Sequence, residues 1–383
     1  MKSIEGNFEN TEVNELLKKH FIELRSVSPE GSTHVLDIDG LKDKSIKFWS
    51  LWENNDLIGC GALKTLSEEH GEFKSIRVAD KFRKKKYGEK LIRSCIASGT
   101  DYVDLCGEPG FMHKIISECS AEAKQNGSRV IFSCGFDSIP FDLGVFLVQE
   151  EVMSKIGKYA PSVRGRVRAM NGEFSGGTAA SMKATMSSLK TNPELINVLI
   201  NPHGLCEGIN GVQQEDDTKP KYDEELDVWF APFFMAPINT KNIHRSNKLM
   251  NHIYGKDFLY NEMWITGPGE EGKAAAEMLA GNNPIAGDDV PAPGEGPSRE
   301  KRENGNYDIL FCADVDGKVF KASVSGDMDP GYGSTSKMIT ESAICLVKDA
   351  KELEGGIYTP AAALGNKLIS RLEANAGLTF IIE

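Results

Sequence analysis

"RVIFSCGFDSIPFDLG", residues 129–144, decides how the larger part of this chain is read. Residues 129–133 form a short apolar, β-branched run that reads as a strand. Gly135 permits a tight turn, Ser138 stands where it can cap a helix, and Pro140 suits a first helical turn. Apolar residues then continue at helical length over 138–155. A strand that turns straight into a helix places the turn at the carboxyl end of a sheet strand, where α/β proteins bind their ligands. Asp137 is therefore a candidate catalytic group that orients a donor or relays a proton, and a cap-only role is the competing reading. Cys134, Gly135 and Phe136 are candidate cofactor contacts in the same turn.

Working outward, "DYVDL" (101–105) reads as a strand and 111–126 as a helix, so 101–155 runs β-α-β-α. That rhythm predicts a mainly parallel, helix-covered sheet. Gly107 and Glu108 follow the first strand's end, where Glu108 faces a cofactor ribose or a substrate, or else caps a helix at the surface. Residues 156–350 mix strand, helix and Gly-rich turns, and 281–306 reads as a surface loop with the composition of a flap. "SGGT" (175–178) reads as a turn capped by Thr178, with anion binding the second reading. Asp327 and Asp329 form a turn before a 334–348 helix, since no calcium loop follows them. Tyr332 is either a proton donor or a packed turn residue.

Towards the amino terminus, 10–24 has apolar residues at helical spacing behind a cap at Asn10 or Thr11. Strands follow at 46–52, 57–63 and 71–78, the first two joined by the turn "ENND" (53–56). Then comes "KFRKKKYGEK" (81–90), leading into an 87–97 helix with Leu91, Ile92, Cys95 and Ile96 on one face. A basic turn between strand and helix can hold pyrophosphate: Arg83, Lys84 and Lys86 supply charge and Gly88 allows close backbone approach. A solvated charge run is the plainer alternative.

The totals bound these readings. With 383 residues the chain has room for two or three domains. Its formal net charge of −12 argues against general nucleic-acid binding. Its eight cysteines are scattered without a CxxC pair, which argues against zinc or a disulfide framework and for a reducing compartment. The start, "MKSIEGNFENTE", has no signal- or transit-peptide pattern, and no apolar run approaches the ~18 residues of a membrane span. The expectation is a cytoplasmic protein acting on a small molecule, with no nucleic-acid partner, no integral membrane segment, and a homodimer left open.

Two family resemblances lie in one chain. Residues 1–92 resemble the GNAT N-acetyltransferases through 23–66, "HGEFKSIRVADKFR" (70–83) and "YGEKLI" (87–92). The resemblance implies a pantetheine-binding strand at Ile76 and Val78. It also implies a pyrophosphate turn running from Arg83 to Gly88, and Glu72 as a base acting through water on an amine. Lys84 and Lys86 stand where that family commonly has glycine. Residues 85–383 resemble the saccharopine dehydrogenase-like oxidoreductases, including their trans-acting enoyl reductase branch. The carriers are "GTDYVDLCGEPGFMHKII" (99–116), "CGFDSIPFDLG" (134–144), "SGGTAASM" (175–182), "HRSNKLM" (244–250), "GEGPSREKRENG" (294–305), "GDMDPGYGSTSKM" (326–338) and "GGIYTPAAALGNKLISRLEANAGLTF" (355–380). That resemblance implies NADP or NAD as cofactor and hydride transfer to or from a C=C or C=N/C=O group. The family's opening Gly-rich strand–turn is not in this sequence; Gly59-Cys60-Gly61-Ala62 lacks its third glycine and lies between strands.

The expected fold class is α/β: a partial GNAT-like segment (1–92), a remnant second half of a Rossmann-type nucleotide domain (93–155), and a mixed α+β substrate domain (156–383). The expected function is that of an NAD(P)-dependent oxidoreductase-like protein. An acetyl-CoA-dependent N-acetyltransferase and a non-catalytic binding or scaffold protein are the alternatives.

Overall fold

The computed structural model describes residues 2–26, 36–65, 71–82, 87–173, 175–209, 211–224, 226–281, 291 and 296–383. They form two compact units, Met1–Ile92 and Arg93–Glu383.

The first unit contains β1 (Lys2–Glu5), α1 (Thr11–Ser26), α2 (Ile38–Leu41), β2 (Ile46–Glu53), β3 (Asp56–Thr65), β4 (Gly71–Val78) and the start of α3 (Tyr87–Ala97). The strands make one antiparallel sheet in the order β1-β2-β3-β4. Asn10, not Thr11, caps α1, its Oδ1 accepting from the Val13 amide at 3.2 Å. Val13, Leu16 and Leu17 of α1 pack with Phe48, Leu57 and Ala62 of the sheet into a small core. The β2–β3 turn is tighter than the four residues expected. Glu53 pairs with Asp56, and Asn54 and Asn55 both take positive φ (50° and 69°), the conformation that suits a two-residue hairpin. On α3, Ile92 and Ile96 are buried as expected, but Leu91 is 58% exposed and does not share their face.

The second unit opens with β5 (Tyr102–Val103), α4 (Pro109–Asn126), β6 (Arg129–Ile131) and α5 (Ile139–Ile156). The β-α-β-α order predicted from the sequence is present with shorter strands. β5 and β6 pair in parallel, and β13 (Gly356–Tyr358) joins β6 from the far end of the chain to complete a three-stranded parallel sheet. Arg129 ties this sheet together. Its guanidinium pairs with Asp101 and donates to the Leu346 and Ala350 carbonyls at 3.1 and 2.7 Å.

The rest is β7 (Ser162–Asn171), α6 (Gly176–Thr191), α7 (Leu195–Ile200), β8 (Lys221–Asp223), β9 (Val228–Pro232), α8 (Ala236–Leu249), β10 (Leu259–Gly267), α9 (Gly269–Gly281), α10 (Arg299–Glu303), β11 (Asn306–Val315), β12 (Lys318–Gly326), α11 (Thr335–Lys348), α12 (Pro360–Asn375) and β14 (Leu378–Ile382). A mixed seven-stranded sheet runs β14-β12-β11-β7-β10-β9-β8, parallel only between β7 and β10. Helix α5 is apolar on nearly every side because it packs on β11 and β12 while α8 and α12 cover it. The Phe311 ring fills the space above Gly144, where a Cβ would sit 2.1 Å from the ring. Much of the 281–306 stretch lies outside the described residues; its described end includes α10, capped by Ser298. No described helix is long and apolar enough to cross a membrane.

Helix α8 departs from the usual amphipathic pattern. Asn239, Thr240, Lys241, Asn242, His244, Arg245, Ser246 and Asn247 are all buried. Most reach main-chain or side-chain partners on other segments. Arg245 donates to the Leu205 and Ile357 carbonyls (2.8 and 2.7 Å), Ser246 to Asp142 (2.6 Å), and Asn239 to Glu262 (2.7 Å).

Candidate functional site

A cavity of about 610 Å³ opens at the carboxyl ends of β5 and β6. The turn after β5 brings Gly107 and Glu108 to it, and the turn after β6 brings Phe136 and Asp137. Methionines and aliphatic residues of α6 and α7 form an apolar wall, among them Met182, Met186 and Ile200. The first turns of α8 close another side with Ile238 and Lys241, and Tyr332 just before α11 and Thr335 at its start approach from a further side.

Two glycines hold the Asp137 carboxyl. A Cβ on Gly107 would lie 3.1 Å from Asp137 Oδ2, and one on Gly135 would lie 3.1 Å from Oδ1. Gly135 sits in the tight turn expected of it, but what requires glycine there is close packing; the positive φ in this turn (58°) belongs to Ser133. Ser133 Oγ donates to the Cys106 carbonyl at 2.6 Å and couples the two turns. The Phe136 amide donates to Thr335 Oγ1 at 3.0 Å, which locks the turn to α11.

The electrostatics follow from burial. Asp137 is pushed well above the usual carboxylate range by desolvation, and the charges of Asp104 and Glu108 push it further. That direction favours the neutral carboxyl, the form that can donate a proton into the cavity. Asp104, just behind, is raised to about 6, again mainly by burial. The Cys106 amide (2.9 Å) and the Tyr102 hydroxyl (3.1 Å) oppose that rise. Lys241 lies at the other side. Its Nζ donates to the Leu199 and Pro237 carbonyls at 2.6 and 2.8 Å, and burial lowers its pKa to about 8.

Several expectations need correction. Ser138 occupies the cap position of α5 but makes no capping bond, and its buried Oγ has no partner among the described residues. The start of α6 is capped by Ser175, which accepts from the Thr178 amide at 3.0 Å, so Thr178 is inside the helix. Glu108 does not cap α4. It turns back to accept from Cys106 Sγ (3.1 Å), the Gly107 amide (3.2 Å) and the Ser181 hydroxyl. Cys134 is fully buried behind the wall, where burial holds its thiol protonated, and does not line the cavity. Asp329 caps the turn before α11, accepting from the Tyr332 and Gly333 amides at 3.0 and 2.9 Å.

The acetyltransferase-type candidates belong to the other unit. Arg83, Lys84 and Lys86 lie outside the described residues. Glu72, Ile76 and Val78 are on β4, with Val78 paired to Gly59 and partly exposed. Gly88 lies in the first turn of α3 with open space around it. The reading of the sequence missed Lys241 and Ser181. The available signal for Lys241 was the run "PINTKNIHRSN" (237–247), too polar for a helix flanked by apolar strands unless it is buried against polar partners.

Comparison with known proteins decides the family. Over 317 residues the chain is 34% identical to a Mycobacterium tuberculosis protein named as a candidate trans-acting enoyl reductase, covering 76% of this chain and 75% of that one. The chain belongs to the trans-acting enoyl reductase family. The trans-acting enoyl reductases of Mycobacterium bovis and Mycobacterium ulcerans are each 30% identical over 75% of both chains. Residues 11–136 match the family model described as acetyltransferase (GNAT) family. A saccharopine dehydrogenase (L-Glu forming) from Saccharomyces cerevisiae aligns over 78% of this chain and 83% of that one. Its 10% identity and TM-score of 0.37 make the likeness too loose to build on. At the level of the family, then, this trans-acting enoyl reductase relative is oxidoreductase-like, with a GNAT-type segment at its amino-terminal side.

Proposed function

We propose that the Arg93–Glu383 unit acts as an NAD(P)-linked reductase, with hydride transfer to or from a C=C or C=N/C=O group of an apolar small molecule. The observation that carries this is the cavity at the parallel strand ends, with an apolar wall on one side and the Asp137 carboxyl, shifted towards its neutral form by burial, on another. In this reading 93–155, with β13, is the second half of a Rossmann-type nucleotide domain, and 156–383 shapes the substrate side. The α6 wall binds the apolar part of the substrate, and Ser181 holds Glu108 in place. Asp137 supplies a proton to the substrate atom that gains one. Gly107, Phe136 and Glu108 fix the surface against which the reacting group lies. In this reading the protein is cytoplasmic.

The residues present do not fit the phosphates of a dinucleotide. Among the described lining residues the acidic Glu108 and Glu173 outnumber the single basic Lys241, and no Gly-rich dinucleotide motif occurs in the sequence. No step is therefore derived through NAD(P). The GNAT match favours a second reading, an N-acetyltransferase using acetyl-CoA, with Glu72 as base, Ile76 and Val78 on pantetheine, and the 83–88 turn on pyrophosphate. The absence of a full Gly-rich pyrophosphate fingerprint from the sequence favours a third, a non-catalytic binding protein.

NADPH oxidation, followed with an α,β-unsaturated acyl thioester, tests the first reading, alongside thermal unfolding with NADPH, NADH, acetyl-CoA and a dansylated fatty acid. A ligand at ~100 times its Kd stabilises by ~2.7 kcal/mol. Thioester-dependent NADPH oxidation is the expected result. Binding of the fatty probe without oxidation overturns the reductase in favour of a binding protein. Stabilisation by acetyl-CoA alone favours the acetyltransferase.

A further inference from the structure

Lys241 has no task in the reading above, yet its surroundings are specific. It is 2% exposed, lies on the cavity wall, and forms no ion pair with a carboxylate among the described residues. Its partners are two neutral main-chain oxygens, Leu199 O at the end of α7 and Pro237 O one turn back on α8. Both of those residues also line the cavity.

An ammonium has three N–H donors and needs three acceptors or a counter-charge when buried; a neutral amine has two N–H donors and one lone pair. Two acceptors are what this site provides. In the neutral form, with both N–H bonds committed to Leu199 and Pro237, the electron pair on Nζ is the feature left for a ligand in the cavity. Burial also favours the amine; the charge of Asp217 opposes it without offsetting it, and the Lys241 pKa falls from 10.5 to about 8. The apolar wall of Met182, Met186 and Leu189 suits an aliphatic chain, whose carbonyl end would then meet the amine.

We propose that Lys241 is a nucleophilic lysine that captures a long-chain aliphatic aldehyde or ketone in this cavity as a Schiff base. Nζ adds to the carbonyl carbon as the C=O π bond breaks, and the oxygen takes a proton. The carbinolamine then loses that oxygen as water with a second proton, and C=N forms as nitrogen gives up its hydrogens. The sum is carbonyl plus amine to imine plus water, with no oxidation or reduction. Asp137 lines the same cavity, and its carboxyl, shifted towards the neutral form by burial, is the proton source for the dehydration. The capture rests on the cavity but not on the reductase reading, since it needs no nicotinamide.

The test is reductive trapping on the full chain. The protein is incubated at pH 7 with decanal and cyanoborohydride, which reduces the imine, and is then digested for mass spectrometry. The expected result is an alkyl adduct on Lys241 about tenfold above that on the exposed Lys158, with Lys241→Met losing only the first. Because Lys241→Met can disturb α8, the wild-type protein carries a second arm. Excess decane should protect Lys241 from the aldehyde and leave Lys158 unaffected. Labelling of surface lysines with Lys241 unmodified, or Lys241 labelling that decane does not reduce, overturns the proposal. Success here with no NADPH oxidation in the assay above would separate carbonyl capture from reduction.

Discussion

Glu262 on β10 should make the second unit lose stability as pH rises through neutrality. Its side chain is fully buried and receives Tyr260 OH on Oε2 at 2.6 Å and Asn239 Nδ2 on Oε1 at 2.7 Å. Those bonds favour the carboxylate but do not offset its desolvation, and the pKa rises from 4.5 to about 8, with Asp217 adding to the rise. Between those values the folded state holds a proton that the unfolded chain releases, so stability is full below about 4.5 and falls until about 8. One pKa unit is about 1.36 kcal/mol, so a window of roughly three units, pH 5 to 8, is worth about 3–4 kcal/mol. Glu262→Gln keeps the shape and removes the titration. Urea unfolding of the second unit, with hydrogen exchange on β10 as the local readout, should show the wild type losing about 3–4 kcal/mol more than the variant over that range. The variant should be the more stable of the two at pH 8. Parallel curves for the two proteins would refute the claim that Glu262 is buried neutral.

Gly135→Ala would place a Cβ 2.9 Å from Leu105 Cδ2, 3.0 Å from Thr335 Cγ2 and 3.1 Å from Asp137 Oδ1. It should destabilise by about 1–3 kcal/mol and weaken fatty-probe binding, read by thermal unfolding and fluorescence titration; unaltered probe affinity would show that the Asp137 position is not set by this glycine. Arg129→Ala removes the pair to Asp101 and strands the Leu346 and Ala350 carbonyls, so it should cost about 3–5 kcal/mol by denaturant unfolding, against under about 1 for Lys158→Ala at the surface.

Strands β2, β3 and β4 of the first unit were legible because apolar runs flanking the Asn-Asn turn point one way, whereas the short, mostly exposed β1 was not read. So was the strand–helix alternation over 101–155, since each element there is bounded by Gly, Pro or polar residues. What could not be read depends on partners distant in sequence. Nothing local shows that 356–358 completes the parallel sheet beside 129–131. Gly135 looked like a turn glycine, and only its neighbours Leu105, Thr335 and Asp137 reveal a packing role. The turn serine at 138 had the residue type of a cap but not its geometry, while Ser175 did the capping assigned to Thr178. Asp137, Glu108 and Phe136 could be singled out because they follow strand ends, and all three line the cavity. Lys241 was missed because a lysine in a polar helix looks solvated until that helix is known to be inside.

The polar helix α8 and the apolar α6–α7 wall divide the cavity into a stiff half and a compliant one. Each α8 side chain that bonds to β10, β13, α5 or the 205 loop fixes the helix from a different direction, so shifting it would strand several buried polar groups at once. The α6–α7 wall is made of unbranched methionines and aliphatic residues, and Met186 and Ile200 remain 59% and 72% exposed. Ligands of different girth are therefore accommodated on one side only. Selectivity for chain length is open to tuning through α6 without disturbing the chemistry held by α8, and a mutant library confined to 182, 186, 189 and 200 is where altered ligand range should arise first.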